Sequence, residues 1–315
     1  MSIRHALELF KRAGVAWNDD DAASMGASLA YYTLFAIAPL LVMVIAGAGL
    51  IVGRDAAQSH IFGQLRSLTG DAGVLAIEQL LRGARSVTTG VVTAIVGTAA
   101  LLFGATSVFA ELYGDLNKIW RTPSLPKAGG IVHLIRTRIL SFGMIFGMGF
   151  LLLVSLVVSA ALAAAGEWWG SRFAAWTITV AVVNEVLNIA TITVAFAMIQ
   201  KFLPRAAIAW RDLWIGAAMT AVLFEIGKFL IGFYLGGTYI SSAFGAAGSL
   251  VVFLIWVYYS AQIFLLGAEF TWVYAYRQGS RAGEAPPDPP ALRSGRPVTP
   301  AAVDAAHEHH LHKKK

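Results

Sequence analysis

The chain has 315 residues, 57% of them hydrophobic and 13% charged, and its 24 Lys and Arg against 18 Asp and Glu leave a net charge of +6. So apolar a composition leaves no room for a soluble domain of ordinary size, and the lack of cysteine excludes disulfides, thiolate nucleophiles and Cys-ligated metals. The basic residues flank apolar runs and form no patch with interleaved aromatics, so the pI near 9.6 points to anionic lipid and away from nucleic acid.

Residues 1–18 place Ile3, Leu7, Phe10, Gly14 and Trp17 at helical spacing, with Arg4, Lys11 and Arg12 on the other faces. This predicts a short helix lying in the membrane interface. It lacks the continuous apolar core and small-residue cleavage site of a signal peptide. One of Asp19, Asp20 and Asp21 is expected to cap the helix that follows.

Six apolar stretches come next: Ser28–Val52, Gly90–Ala110, Ile139–Ala165, Trp176–Leu203, Arg211–Leu235 and Gly245–Ala275. Each reaches the ~20 residues needed to cross a bilayer. Of the 24 Lys and Arg, 18 fall in one alternate set of flanking segments and five in the other, with Lys228 inside a span. The positive-inside rule then puts both ends of the chain in the cytoplasm. Pro39 is expected to kink the first span and act as a hinge. The loop Gly53–Thr89 reads as two amphipathic helices broken at Thr69-Gly70-Asp71. In the second of them Val74, Ile77 and Leu81 oppose Glu78, Gln79, Arg82 and Arg85. Trp168, Trp169 and Trp176 mark the outer boundary, Trp120, Trp210, Trp214 and Trp272 the inner one, and Trp256 falls at mid-depth. Gly143-x-x-x-Gly147 and Gly227 suit close helix packing. Six of the ten prolines follow Arg277, which predicts a disordered tail. Its final His307-Glu308-His309-His310-Leu311-His312 run has no fixed geometry for a metal.

The expected fold class is all-α: a polytopic membrane protein, six transmembrane helices in one bundle with amphipathic interfacial helices and a disordered C-terminal tail. Its parts are a cytoplasmic amphipathic segment over residues 1–27, the membrane domain over 28–276 and the tail over 277–315.

Chemistry is sought where ionisable groups enter the spans. By helical rise, Glu185 lies about 13 Å from the outer end of the fourth span. Glu225 and Lys228 lie about 15 Å and about 10 Å from the outer end of the fifth. A short loop joins these two antiparallel spans, so the three charges, with Asn184 and Asn188, are expected at similar depth on neighbouring helices. They either line a polar cavity or, through the i, i+3 Glu225–Lys228 pair, neutralise themselves as structural glue. Glu111 and Glu269 stand near helix C-termini, where the dipole disfavours negative charge. Each is expected to have a structural basic partner, with Arg136, Arg138, Lys201 and Arg205 as candidates. There is no P-loop and no H-E-x-x-H, and no clustered acidic or histidine ligands of a nuclease lie in the loops. No catalytic residue, metal or cofactor is expected.

Several separated stretches resemble the YihY/BrkB family of bacterial inner-membrane proteins. They are Ala30-Tyr31-Tyr32-Thr33-Leu34-Phe35 through Pro39-Leu40-Leu41, Glu111 to Leu116-Asn117-Lys118-Ile119-Trp120, Lys201-Phe202-Leu203-Pro204, Trp210-Arg211-Asp212, and Phe244-Gly245-Ala246-Ala247-Gly248-Ser249 through Leu266-Gly267-Ala268-Glu269-Phe270. Phe244 stands where the family pattern leads one to expect tyrosine. The resemblance covers roughly residues 20–277 and implies six inner-membrane helices. The family has carried the label ribonuclease BN and names invoking virulence or serum resistance, and some members are linked to envelope lipid export. The first expectation is therefore a transporter-like protein that moves or accommodates a lipid or other amphiphile. The alternative is a non-transporting scaffold or assembly factor, with a membrane ribonuclease last. Expected partners are membrane lipids and anionic headgroups, with a second copy of the chain or envelope proteins left open.

Overall fold

The computed structural model describes residues 3–86, 107–123, 174–237 and 248–287, together with the single helical positions 143, 147, 150, 151, 154, 157 and 158. The helices are α1 (Ile3–Asp19), α2 (Ala22–Val52), α3 (Arg54–Ser86), α4 (residues 107–119), α5 (Ala174–Phe202), α6 (Trp210–Gly237) and α7 (Gly248–Arg277). No strand occurs among the described residues. Val182–Phe202, Trp210–Ile231 and Leu250–Arg277 are long and apolar enough to cross a membrane, and Ala22–Ala38 forms a shorter apolar stretch. The expected second span, most of the third, the outer tryptophans Trp168 and Trp169, Arg136, Arg138 and the histidine-rich tail lie outside the described residues.

α2 runs unbroken through Pro39 for 31 residues, about 46 Å at 1.5 Å per residue. It ends at Gly53, whose φ of 86° only glycine adopts readily. The chain reverses there at once, with the Arg54 backbone close against Gly49. The expected break at Thr69-Gly70-Asp71 is absent, because α3 is one continuous helix of 33 residues. Its amphipathic face follows the periodicity of the sequence. Val74, Ile77 and Leu81 are buried while Gln79 and Arg82 are exposed. Ala76, Ile77 and Leu81 share a core with Ala30, Leu41 and Ile45 of α2 and Phe253 and Val257 of α7. That long apolar contact holds α3 helical across Gly70, whose propensity cost is only about 1 kcal/mol.

α7 is the axis of the assembly, packed by α1, α2, α3 and α6. Its contact with α6 is built on two reciprocal Gly-x-x-x-Thr pairs. A Cβ on Gly216 would overlap Thr271, and one on Gly267 would overlap Thr220. Each threonine hydroxyl bonds back to the carbonyl of the glycine one turn before it, at 2.7 Å for Thr220 and 2.8 Å for Thr271. Small residues thus bring the backbones together while the hydroxyls stay satisfied within an apolar seam. Gly227 meets Ile263 and Tyr259 of α7, and Gly26 of α2 meets Gln262 of α7. Gly147 faces Met198 of α5, whereas none of the described residues lies near Gly143.

α1 packs against α7, and its buried face is shifted from the one expected. Leu9, Ala13 and Ala16 are buried, and Phe10 packs on Phe270 of α7 with ring centroids 4.9 Å apart. Leu7, expected on the apolar face, is 71% exposed. Burial against α7 has rotated the helix onto its alanine side, where the smallest side chains allow the closest approach. Asp21 occupies the N-cap of α2 at φ 58° and makes no side-chain cap bond, so the expected capping role fails as well. Asp20 turns inward instead and is fully buried.

Candidate functional site

Three of the polar groups expected inside the spans meet. Glu225 and Lys228 pair across one turn of α6, with Lys228 Nζ 2.5 Å from Glu225 Oε2. Asn188 of α5 donates to Glu225 Oε1 at 3.2 Å. Both charged side chains are largely covered, at 14% and 23% exposure. Asn184 and Glu185 are exposed on the same helix as Asn188. Polar groups therefore run from the outer surface of α5 into the α5–α6 contact, with the bundle side of the run neutralised by an ion pair.

A second constellation gathers at the other end of α6. The segments whose basic charge assigns them to the inner side converge there. Arg121 Nη1 donates to Pro287 O at 2.7 Å, Arg281 to Ala207 O at 2.9 Å, and Lys118 to the carbonyl of Asp20. Asp212 Oδ2 accepts from the backbone N–H and hydroxyl of Ser280 at 2.9 and 2.6 Å. Arg205 donates to the Tyr113 hydroxyl, and its N–H bonds Asn117 Oδ1 at 3.0 Å. α4 ends in a left-handed residue, Arg121 at φ 50°, and Thr122 N–H bonds back to Asn117 O at 3.0 Å. Glycine usually fills that position. Arginine sits there because its guanidinium lies 4.1 Å above the Trp272 ring.

Glu269 is enclosed within this end, at 0% exposure. Of the basic partners expected for it, Arg136 and Arg138 lie outside the described residues, and Lys201 and Arg205 make other contacts. Lys201 bonds the Ile208 carbonyl at 2.5 Å and covers the Trp210 ring, and Arg205 covers Tyr113. Its charged neighbours are Asp20 and Arg121. Among the described residues both carboxyl oxygens of Asp20 and of Glu269 lack a donor, and the N–H groups of Arg121 Nε and of the Trp120 and Trp272 indoles lack an acceptor. Burial pushes the Asp20 carboxyl up, against the pull of Arg121. The basic partner expected for Glu111 is also missing among the described residues; Glu111 stands one turn from Asp115. Burial first, and Glu111 second, push the Asp115 carboxyl up to about 7, with Lys118 opposing. Trp120 and Trp272 are buried in the core, while Trp210 and Trp214 are 48% and 44% exposed. The run Asp19-Asp20-Asp21 was the available sign of this cluster. Its capping reading hid it, because only the corner between α1 and α2 turns Asp20 inward.

The family profile described as Virulence factor BrkB matches residues 14–291, which include both constellations. The chain belongs to the BrkB family. Similar proteins include UPF0761 membrane proteins of Chromohalobacter salexigens, 27% identical over 85% of this chain and 62% of that one, and of Pseudomonas aeruginosa, 27% identical over 79% and 58%. Another, of Ralstonia nicotianae, is 27% identical over 84% and 56%. The BrkB-family chain thus spans about three-fifths of the length of these relatives. No solved structure matches it. Family membership and the three apolar helices make it a membrane protein. Among the described residues no group of three or more His, Cys, Asp or Glu could hold a metal ion.

Proposed function

We propose that this BrkB-family protein is a bacterial inner-membrane, transporter-like protein that accommodates or moves the headgroup of a lipid or other amphiphile in envelope maintenance. One observation carries the reading: the polar run from exposed Asn184 and Glu185 to Asn188, Glu225 and Lys228. An amphiphile could rest its headgroup on such a run while its acyl chains remain among lipids. A charge at this depth is costly unless it is paired or wetted. The Glu225–Lys228 pair supplies both signs a zwitterionic headgroup would exchange with. This reading puts both termini in the cytoplasm, and the basic segments gathering at one end of the molecule support it. No residue is assigned a catalytic role.

The test is flipping of a fluorescent-headgroup phospholipid in vesicles holding the full chain. Glu225→Gln with Lys228→Met is expected to lose most of the activity, and a double variant as fast as the wild type would sink the reading. The scaffold alternative draws on one fact, that the pair is complete within a single helix at 2.5 Å. It expects the double variant to be harmless and each single one to destabilise by about 3–5 kcal/mol. Deletion of residues 288–315 should then abolish function, whereas transport should survive it.

A further inference from the structure

Asp20 and Glu269 come from opposite ends of the chain, one at the α1–α2 corner and one near the end of α7. Their side chains are within hydrogen-bonding reach of each other, and both residues have 0% exposure. Written as two carboxylates, they place four acceptor oxygens side by side with no donor among the described residues. That arrangement combines the cost of buried unpaired charge with like-charge repulsion. Arg121 approaches both groups and is itself nine-tenths buried, yet its Nε is unpartnered and its Nη1 is spent on Pro287. Lys118 and Asp19 are the other charged groups acting on Asp20, and Asp19 and Arg121 the others acting on Glu269. One guanidinium cannot neutralise two buried carboxylates. One proton between them turns an acceptor–acceptor clash into a carboxyl–carboxylate hydrogen bond, the strong charge-assisted kind.

We infer that Asp20 and Glu269 form a proton-binding site that holds the α1–α2 corner on α7. The proton is shared by the pair, so the two groups titrate as one site. Neither carboxyl touches solvent, and the proton therefore exchanges only when the corner lifts. Loss of the proton leaves the anions Asp19, Asp20 and Glu269 against Arg121 and Lys118 and weakens the docking of α1, while its return restores the corner. The upward push of burial on Asp20 acts in the same direction. This site is independent of the Asn188–Glu225–Lys228 run.

The experiment is infrared difference spectroscopy of the full chain in phosphatidylcholine nanodiscs, titrated with alkali from about pH 5. It is done in an Asp115→Asn background so that Asp115 does not contribute. The expected result is a protonated-carboxyl stretch at neutral pH that vanishes in Asp20→Asn and equally in Glu269→Gln. Amide hydrogen exchange over Leu9–Ala16, corrected for its intrinsic pH dependence, should rise as the band disappears. A neutral-pH spectrum without the band, or a band that survives both substitutions, overturns the inference. So does a corner whose protection follows sodium concentration and ignores pH, which would mean a bound cation in place of the proton. The wild-type titration stands by itself if either variant fails to fold.

Discussion

Gly216 and Gly267 are where a single methyl group has most to disturb. Each stands against the threonine of the opposite helix, and neither threonine can turn away without giving up its bond to a backbone carbonyl. Gly216→Ala is therefore expected to cost about 1–3 kcal/mol, as overpacking does in a close-packed seam. Gly14 in α1 has nothing near its missing Cβ, so Gly14→Ala should be neutral or stabilising by up to about 1 kcal/mol. Thermal unfolding of the two variants in one detergent checks both signs. Asp115 makes a pH prediction of its own. Its carboxyl is pushed from 3.8 to about 7, so the folded chain keeps a proton that the unfolded chain releases. The associated stability is full below about pH 4 and falls as pH rises to about 7, with a loss on the order of 1–4 kcal/mol. Asp115→Asn should flatten that slope and exceed the wild type above neutrality, as melting curves taken across this range would show.

α1 and α3 are both amphipathic, and both pack apolar residues against α7. α1 shows Ala13 at 0% exposure against α7, with Phe10 on Phe270. Ala13→Glu would force a carboxylate into that contact at a cost of about 1–3 kcal/mol. Limited proteolysis should then cut within α1 sooner than in the wild type, with α5 to α7 intact; equal resistance would mean that α1 is held by lipid. For α3 the pattern of Val74, Ile77 and Leu81 against Gln79 and Arg82 was legible in the sequence, because a 3.6-residue period is a local property. Its continuity through Gly70 was not. Glycine and aspartate are poor helix formers in isolation, and only the shared core with Ala30, Ile45 and Phe253 outweighs them.

The molecule gathers its basic segments at one end. Lys118, Arg121, Arg205 and Arg281 each bond a carbonyl or an aromatic hydroxyl there, drawing together segments from the N-terminal corner to Pro287. Reporter fusions at residue 1 and after Pro287 are expected to give the same cytoplasmic signal, and opposite signals would refute the charge-based topology. Membrane residence and helical class are legible in the amino-acid sequence alone, because length, hydropathy and charge alternation belong to the chain segment by segment. So is the Glu225–Lys228 pairing, which lies within one turn. Neighbours from distant segments are not: Arg121 beside Glu269, Thr271 for Gly216, Asp20 beside Glu269. Those pairings depend on how α7 is surrounded, and no local periodicity carries that information.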